Sequence, residues 1–483
     1  MTEPLKQSDN KHGRDLTVGS IPRHLVMFSL PMLAGNAIQV AYSLVNGIWV
    51  GKFLGSTQLA AVTDSMPVMF LLMAIAIGLT IGTSILAAQF AGAREWDRFR
   101  QLVQTSTAIV LSASVILMVL GQFLSPWLMQ LMHSPADVYP LAVSYLKISL
   151  FSIPFVFGLF LLSSMLRGVG DSKTPLYFQA GALVMTAIFD PILMFGWLGF
   201  PRMGLNGTAV ASTVMQMLCL AVGLIYIRRK DHIAAPDWRR LSIHWPTGKL
   251  ILKISIPSVL QQSLISLGMV AVMGFVNSFG KNAATAFGAA IRIDQVVFLP
   301  SMTFGVAIST LVGQNIGANR LHRAKETFLW GMLISGGTAL VLSVFAITMP
   351  RLLVGLFVKG YDPQVVRLGV SYLRIVGFCY VFMAMMFVSN GVINGAGYTL
   401  ITTLISLISL WVARVPLAAY LTSRMHKVEG VYYAIAISIV ASAIISQLYY
   451  FTGKWKRPII RHQPILDSPA AGDEPFCPSS AAE

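Results

Sequence analysis

Seven ionisable residues stand inside long apolar stretches of this 483-residue chain: Asp64, Lys147, Asp190, Arg292, Asp294, Arg374 and Arg414. A charge in such a stretch is costly, so each marks a functional site or a paired structural contact. Asp190 stands in FDPILMF, near the middle of its apolar run. Pro191 follows and removes the N–H that would bond the carbonyl of Ala187, leaving an acceptor beside a carboxylate. Such a pocket can bind and release a cation. The alternative is a carboxylate that caps a kinked helix. Asp294 stands in IRIDQ. Arg292 is two residues away and cannot face it on a helix. Asp294 is therefore either a second cation site or the partner of Arg414 or of a helix end. Asn36, Gln39, Tyr42, Gln261, Gln262 and Asn390, with Arg292 and Arg414, are the polar groups that could line a substrate cavity.

Lys147 and Arg374 belong to two similar stretches, SYLKI at 144–148 and SYLRI at 371–375. Each cation falls about nine residues into its apolar run, roughly 14 Å at 1.5 Å per residue. Because both stretches retain the cation, it is read as a shared structural feature, reaching the carbonyls of neighbouring helices. An anion-binding cavity is the alternative. Asp64 falls about one turn into its run and is read as interfacial.

The elements that hold these residues follow from composition. The chain is 55% hydrophobic and 11% charged, with a mean hydropathy of +0.70. Soluble domains carry about a quarter charged residues, so this is a polytopic membrane protein. A span needs roughly 20 apolar residues. Glycine, proline and charge punctuation divides the chain into twelve: 24–52, 59–90, 101–132, 138–166, 175–199, 206–228, 249–279, 283–313, 326–357, 365–393, 399–423 and 429–453. All are expected to be helices, since backbone groups in lipid need internal partners and no stretch alternates as a barrel strand does. The first run is too long for a signal-peptide core. Cys219 and Cys379 fall in apolar runs and Cys477 in the tail, so no disulfide framework is expected.

The loops alternate in charge. One set holds Arg94, Arg98, Arg100, Arg167, Lys173, the basic stretch 228–253, Arg320, Arg323 and Lys325. The other is sparse. Basic residues mark the cytoplasmic side, which places both termini there and accounts for the net charge of +16 without a nucleic-acid partner. The expected organisation is a cytoplasmic N-terminal tail (1–23), a six-helix bundle (24–228), a cytoplasmic linker (229–248), a second six-helix bundle (249–455) and a disordered cytoplasmic tail (456–483). Collinear matches support two copies of one bundle: Ser29–Pro31 with Ser255–Pro257, Gln89 and Gly92 with Gln314 and Gly317, Gly168 and Gly170 with Gly395 and Gly397, Gly207 with Gly430. Their offsets stay between 223 and 227. Six helices per copy start both copies on the same side, so the pseudo-symmetry axis lies along the membrane normal.

The stretches SLPMLAGNAIQVAYSLVNGIWVGKFLG, AAQFAGAR, LRGVGDSKTPL, FDPILMFGWLGFPRMGLNG and FGAAIRIDQVVFLPSMTFGVAISTLVGQNIGAN carry a resemblance to the multidrug and toxic compound extrusion (MATE) transporters, over about residues 20–455. The pattern looks closest to the DinF branch. The resemblance implies a V-shaped pair of bundles that exports cationic or amphiphilic compounds against entry of H⁺ or Na⁺, with no other cofactor and no bound metal centre. It places Asp190 in a proton or cation site, with Thr208 as its hydroxyl on the sixth helix. Asn46 departs from the pattern, because an aspartate usually stands there. Thr186 departs too, standing where an asparagine is usual. An amide can bond but cannot titrate. Pro31 matches a proline associated with helix bending.

The leading function is thus a cation-coupled exporter in the cell membrane (the inner membrane in a Gram-negative source), working as a monomer on small molecules. A flippase for lipid-linked oligosaccharides is the alternative, on the strength of Lys147, Arg292, Arg374 and Arg414. A membrane enzyme or receptor is disfavoured, since no HExxH, GxSxG or phosphate-loop motif stands where a site could form. The topology is testable. In a cysteine-free background, Trp238→Cys should react with an impermeant maleimide only after the cells are opened. Labelling of intact cells would overturn the assignment.

Overall fold

The computed structural model describes residues 13–49, 53–132, 134–357 and 363–457. The expected disordered tail lies outside the described residues from 458 onward, as do the side chains of Tyr42 and Asn46. The first half comprises α1 (Ile21–Trp49), α2 (Ser56–Gly92), α3 (Trp96–Leu131), α4 (Tyr139–Leu150), α5 (Ile153–Gly168), α6 (Lys173–Phe195) and α7 (Leu205–Arg229). The second half comprises α8 (Trp245–Asn277), α9 (Lys281–Gly317), α10 (Leu321–Thr348), α11 (Pro350–Gly355), α12 (Pro363–Val376), α13 (Tyr380–Gly395), α14 (Thr399–Leu407), α15 (Val415–Met425) and α16 (Glu429–Phe451). Eleven helical stretches are long and apolar enough to cross a membrane, and the pair α4–α5, bent by 44°, supplies the twelfth. Pro154 stands at the start of α5, where a missing N–H costs least. The fourth span breaks there without ending. Helix α8 starts at Trp245, earlier than the expected 249.

The internal repeat is visible in the backbone. Helices α2 and α9 both run 37 residues. Each begins after a glycine at positive φ (Gly55, 102°; Gly280, 91°), and each is followed by a left-handed residue (Arg94, 56°; Asn319, 58°). Gly170 and Gly397, also at positive φ, turn the chain after α5 and α13. Positive φ is open to glycine without steric cost, which is why these glycines recur.

The halves meet at the end that carries the basic loops. Gln89 Nε2 donates to the carbonyl of Gly395 at 2.8 Å, and Gln314 Nε2 donates to the carbonyl of Gly168 at 2.8 Å. Each amide reaches from one half into the other, and the repeat relates the two bonds. Gly92 and Gly317 permit the approach: a Cβ on either would lie 2.0 Å from the backbone oxygen of Gln314 or Gln89. Further along, Gly82 and Gly78 of α2 lie against Ser255 and Val259 of α8, and the Ser255 hydroxyl donates to the Leu79 carbonyl at 2.9 Å. Asn36 of α1 donates to Thr303 of α9 at 3.1 Å. The deepest of these cross-half contacts, Gly78 against Val259, lies 14 residues from the end of α2, or about 21 Å along its axis.

Beyond that depth each half packs on itself. Leu72, Met69 and Val68 of α2 join a first-half core with Leu146 and Ile153, while α9, α12, α13 and α16 form a second core around Phe287, Tyr372 and Tyr432. Residues 13–19, expected as part of a tail, are packed against the junction, with the Leu16 side chain only 1% exposed. A methyl group cannot be placed at Gly92 or Gly317 without parting two backbones. Gly92→Ala and Gly317→Ala should each destabilise the protein by about 1–3 kcal/mol, the usual cost of overpacking, read as a lower melting temperature of the purified protein. Unchanged melting would show that the halves do not meet there.

Candidate functional site

Asp190 is 1% exposed and sits 17 residues into the 23-residue α6, nearer its far end than the middle. That is about 26 Å along the helix from the basic loops, farther than the described cross-half contact of Gly78 with Val259 lies along α2. Three local features place it. Gly196 caps α6 in the left-handed region (φ 75°). Met203 N donates to Leu193 O at 3.1 Å and Gly204 N to Met194 O at 3.2 Å, closing the α6–α7 hairpin. Gly207 then lets α7 lie directly on the backbone of Leu193 and Met194. Asn206 ties the hairpin to α4 by donating to Ser144 at 2.9 Å. The neighbour of Ser144 is Tyr145, and its phenol lies within electrostatic reach of Asp190.

Thr186 and Thr208 are both buried on this hairpin. The Thr186 hydroxyl donates to Ala182 O at 2.7 Å and that of Thr208 to Leu205 O at 2.9 Å. Both spend their proton on their own helix and keep oxygen lone pairs as acceptors. Among the described side chains of the first half, Asp190 is the one fully buried carboxylate, carried on the same hairpin as these two hydroxyls. Asp64 is two turns into α2, rather than one, and partly buried.

Asp294 of α9 is 5% exposed and has a different setting. Tyr372 Oη donates to Asp294 Oδ2, and Tyr380 Oη donates to Asp294 Oδ1 at 2.6 Å. Rings of Phe287, Phe298 and Tyr432 pack edge-on or stacked against this pair. Arg414 lies within electrostatic reach of Asp294, and its Nε donates to Ser438 Oγ at 2.7 Å. It is carried at the end of a π-helical turn, Ile408–Arg414. Pro416 supplies no N–H to the ladder just beyond, and Trp411 Nε1 and Ser409 Oγ anchor the turn to Leu264 and Ser438 carbonyls.

Tyr145 and Tyr372 occupy the same place in the repeat, one residue into SYLKI and SYLRI. Tyr372 bonds its half's buried aspartate directly, and Tyr145 lies within electrostatic reach of its own, although the two aspartates stand on different helices. The paired stretches thus matter for their tyrosines. Their cations do not take the expected structural role: Arg374 is exposed, and neither it nor the Lys147 ammonium makes a hydrogen bond among the described residues. The signal for the tyrosines was present in the sequence as the repeated tyrosine itself. Tyr380 had no such signal.

The other expected cavity residues make individual contacts among the described residues. Gln261 ties α8 to α14 through Thr402 O at 3.2 Å and Ser406 Oγ at 2.7 Å. Asn390 is buried and accepts from Ser446 at 3.0 Å. Asn36 is the cross-half tie to Thr303. Arg292 is exposed, with its guanidinium 6.0 Å from the Phe357 ring centre. Gln39 is exposed and Gln262 half-buried. Pro31 lies within α1, and Pro257 lies at the matching place in α8.

This geometry has counterparts among known proteins. The MatE family profile matches residues 31–192 and 257–420, one segment in each half. A probable multidrug resistance protein of Bacillus subtilis (strain 168), YpnP, is 32% identical over 92% of this chain and 97% of its own length. An FAD transporter of Shewanella oneidensis is 25% identical, over 93% of this chain and 98% of its own. In fold, the outward-facing structure of a multidrug resistance MATE family transporter superimposes with a TM-score of 0.85 at 22% identity, covering 92% of this chain and 98% of that one. With a family segment in each half and relatives matched almost end to end, this chain belongs to the MatE family of multidrug and toxic compound extrusion transporters.

Proposed function

We propose that the protein exports cationic or amphiphilic small molecules across the cell membrane in exchange for H⁺, by alternating access to the space between its halves, with the basic-loop end in the cytoplasm. The observation that carries this reading is the position of Asp190: a buried carboxylate set farther along its helix than the described cross-half contacts of Gly78 and Asn36 lie from the basic-loop end. A group there is reached from one side in one state and from the other when the junction opens. Binding a proton neutralises a charge that the apolar surroundings penalise, so occupancy and conformation are linked.

Asp294 is the less suitable coupling group. Two phenols already donate to its oxygens, and Arg414 supplies a nearby positive charge that opposes a second cation. Its role in this reading is to fasten α9 to α12 and α13. The printed name of the Bacillus relative, a probable multidrug resistance protein, agrees with small-molecule export.

Proteoliposomes with independent pH and Na⁺ gradients test the reading, with ethidium as the probe. Asp190→Asn should abolish gradient-driven efflux while leaving a folded, monodisperse protein; wild-type rates in that variant would sink the assignment. Efflux that follows a Na⁺ gradient at equal pH would replace H⁺ by Na⁺ as the coupling ion. Asp294→Asn should instead cost about 1.5–3 kcal/mol of stability, as expected for weakened hydrogen bonds to a charged group, and keep the same ion dependence. A lost ion dependence would return Asp294 to the coupling site.

A further inference from the structure

Residues 13–19 precede α1 and bind both halves at once. On the first-half side, Arg14 N donates to Val169 O at 2.8 Å, and Asp15 pairs with Arg94 at 3.4 Å. On the second-half side, Leu16 N donates to Gln314 Oε1 at 3.0 Å. Arg320 Nη1 donates to Thr17 O and Arg323 Nη2 to Gly19 O, both at 2.9 Å. The Leu16 side chain is buried in an apolar cluster with Leu25, Phe304, Leu311 and Val312. At Gly13, φ is 78° and a Cβ would lie 2.2 Å from Val169 O, so the chain passes directly over the turn after α5. Within the segment, Thr17 N and Oγ1 both donate to Asp15 Oδ1, at 2.8 and 2.6 Å. Burial alone would raise the Asp15 pKa, but the Thr17 bonds and Arg94 outweigh it and hold the carboxylate below its usual range.

The segment meets the same amide that closes the junction. Gln314 uses its Nε2 on Gly168 of the first half and its Oε1 on Leu16 N. Separating the halves at this end would break either the contacts to Val169 and Arg94 or those to Gln314, Arg320 and Arg323. The segment therefore binds the closed arrangement more tightly than the open one, which is the condition for biasing a two-state equilibrium. It also leads directly into α1, through Gly19 at φ 85°. Helix α1 sits more loosely in the junction than its repeat counterpart α8: the Ser255 hydroxyl bonds across to Leu79, whereas the buried Ser29 hydroxyl has no partner among the described residues.

We propose that residues 13–19 are a latch that holds the basic-loop end closed and is released together with α1, so that it sets the balance between the two access states. This rests on the alternating-access reading above. Its occupant is the chain's own N-terminal segment, and its receptors are the Val169 turn, Gln314 and the guanidiniums of Arg94, Arg320 and Arg323.

The test uses the full chain, with Cys219, Cys379 and Cys477 replaced by alanine and spin labels at Arg100→Cys and Lys325→Cys. These positions are exposed, repeat-related and near the starts of α3 and α10. Leu16→Asp expels the buried side chain, and Arg320→Gln removes the guanidinium from Thr17 O without touching the core. In each, the population with a long inter-label distance should rise by about tenfold relative to the parent, the size expected from losing one hydrogen bond to a charged group. If Leu16→Asp yields no folded protein, Arg320→Gln decides. A lower melting temperature with unchanged distances would overturn the latch and leave the segment a passive contact. A distance shift in variants whose parent shows no gradient-driven efflux would uphold the latch and remove the antiport reading instead.

Discussion

Two buried amides carry the closed arrangement of this transporter. Gln89 and Gln314 each cross from one half to a main-chain carbonyl of the other, and each ends at a glycine that the repeat relates to its partner's. In an apolar setting a carbonyl without a donor is costly, so neither bond is easily exchanged for anything but water. The glycines at 92 and 317 let backbone meet backbone at that point. From this end α2 and α8 lie against each other at least as far as Gly78 and Val259, about 21 Å along α2. Both the depth of Asp190 and the docking of the N-terminal segment are set by that single junction.

A repeated scaffold does not give a repeated site. The duplicated tyrosine, 145 or 372, faces a carboxylate in each half, but the carboxylates come from the fifth span of one copy and the second span of the other. In the second half the carboxylate accepts one phenol on each oxygen within an aromatic cluster. In the first half the neighbouring threonine hydroxyls turn their protons to their own helix. The same tyrosine therefore stands in two different settings: beside a carboxylate that accepts from two phenols in one copy, and within electrostatic reach of a buried carboxylate on the α6–α7 hairpin in the other.

Much of this was legible before the structure. Twelve apolar runs, their punctuation and the offsets of 223–227 residues contain the fold, because a lipid solvent leaves helices as the only economical answer. Asp190 stood out because proline follows it. What was not legible depended on pairs far apart in sequence. Tyr380 meets Asp294 across 86 residues, and no local pattern marks that contact. Attention fell on Lys147 and Arg374 because charge in an apolar run is conspicuous, whereas a tyrosine in the same run reads as ordinary membrane composition. Residues 13–19 read as a tail because they are polar. Their order comes from guanidiniums about 300 residues away.

The asymmetry between α1 and α8 joins these observations. Both helices carry a proline at the matching place, which frees a carbonyl one turn earlier and makes a bend cheap. Helix α8 is pinned by Ser255 to Leu79, and Thr403 donates to the Pro257 carbonyl at 2.8 Å. Among the described residues, helix α1 is tied across by Asn36 to Thr303, and the buried Ser29 hydroxyl has no partner. Helix α1 is the one that continues into residues 13–19, and it packs against α6, where Gly35 lies against Gln179 on the helix that bears Asp190. Helices α6 and α1 thus form a continuous line of contact from the helix that bears Asp190 to the segment docked on Gln314.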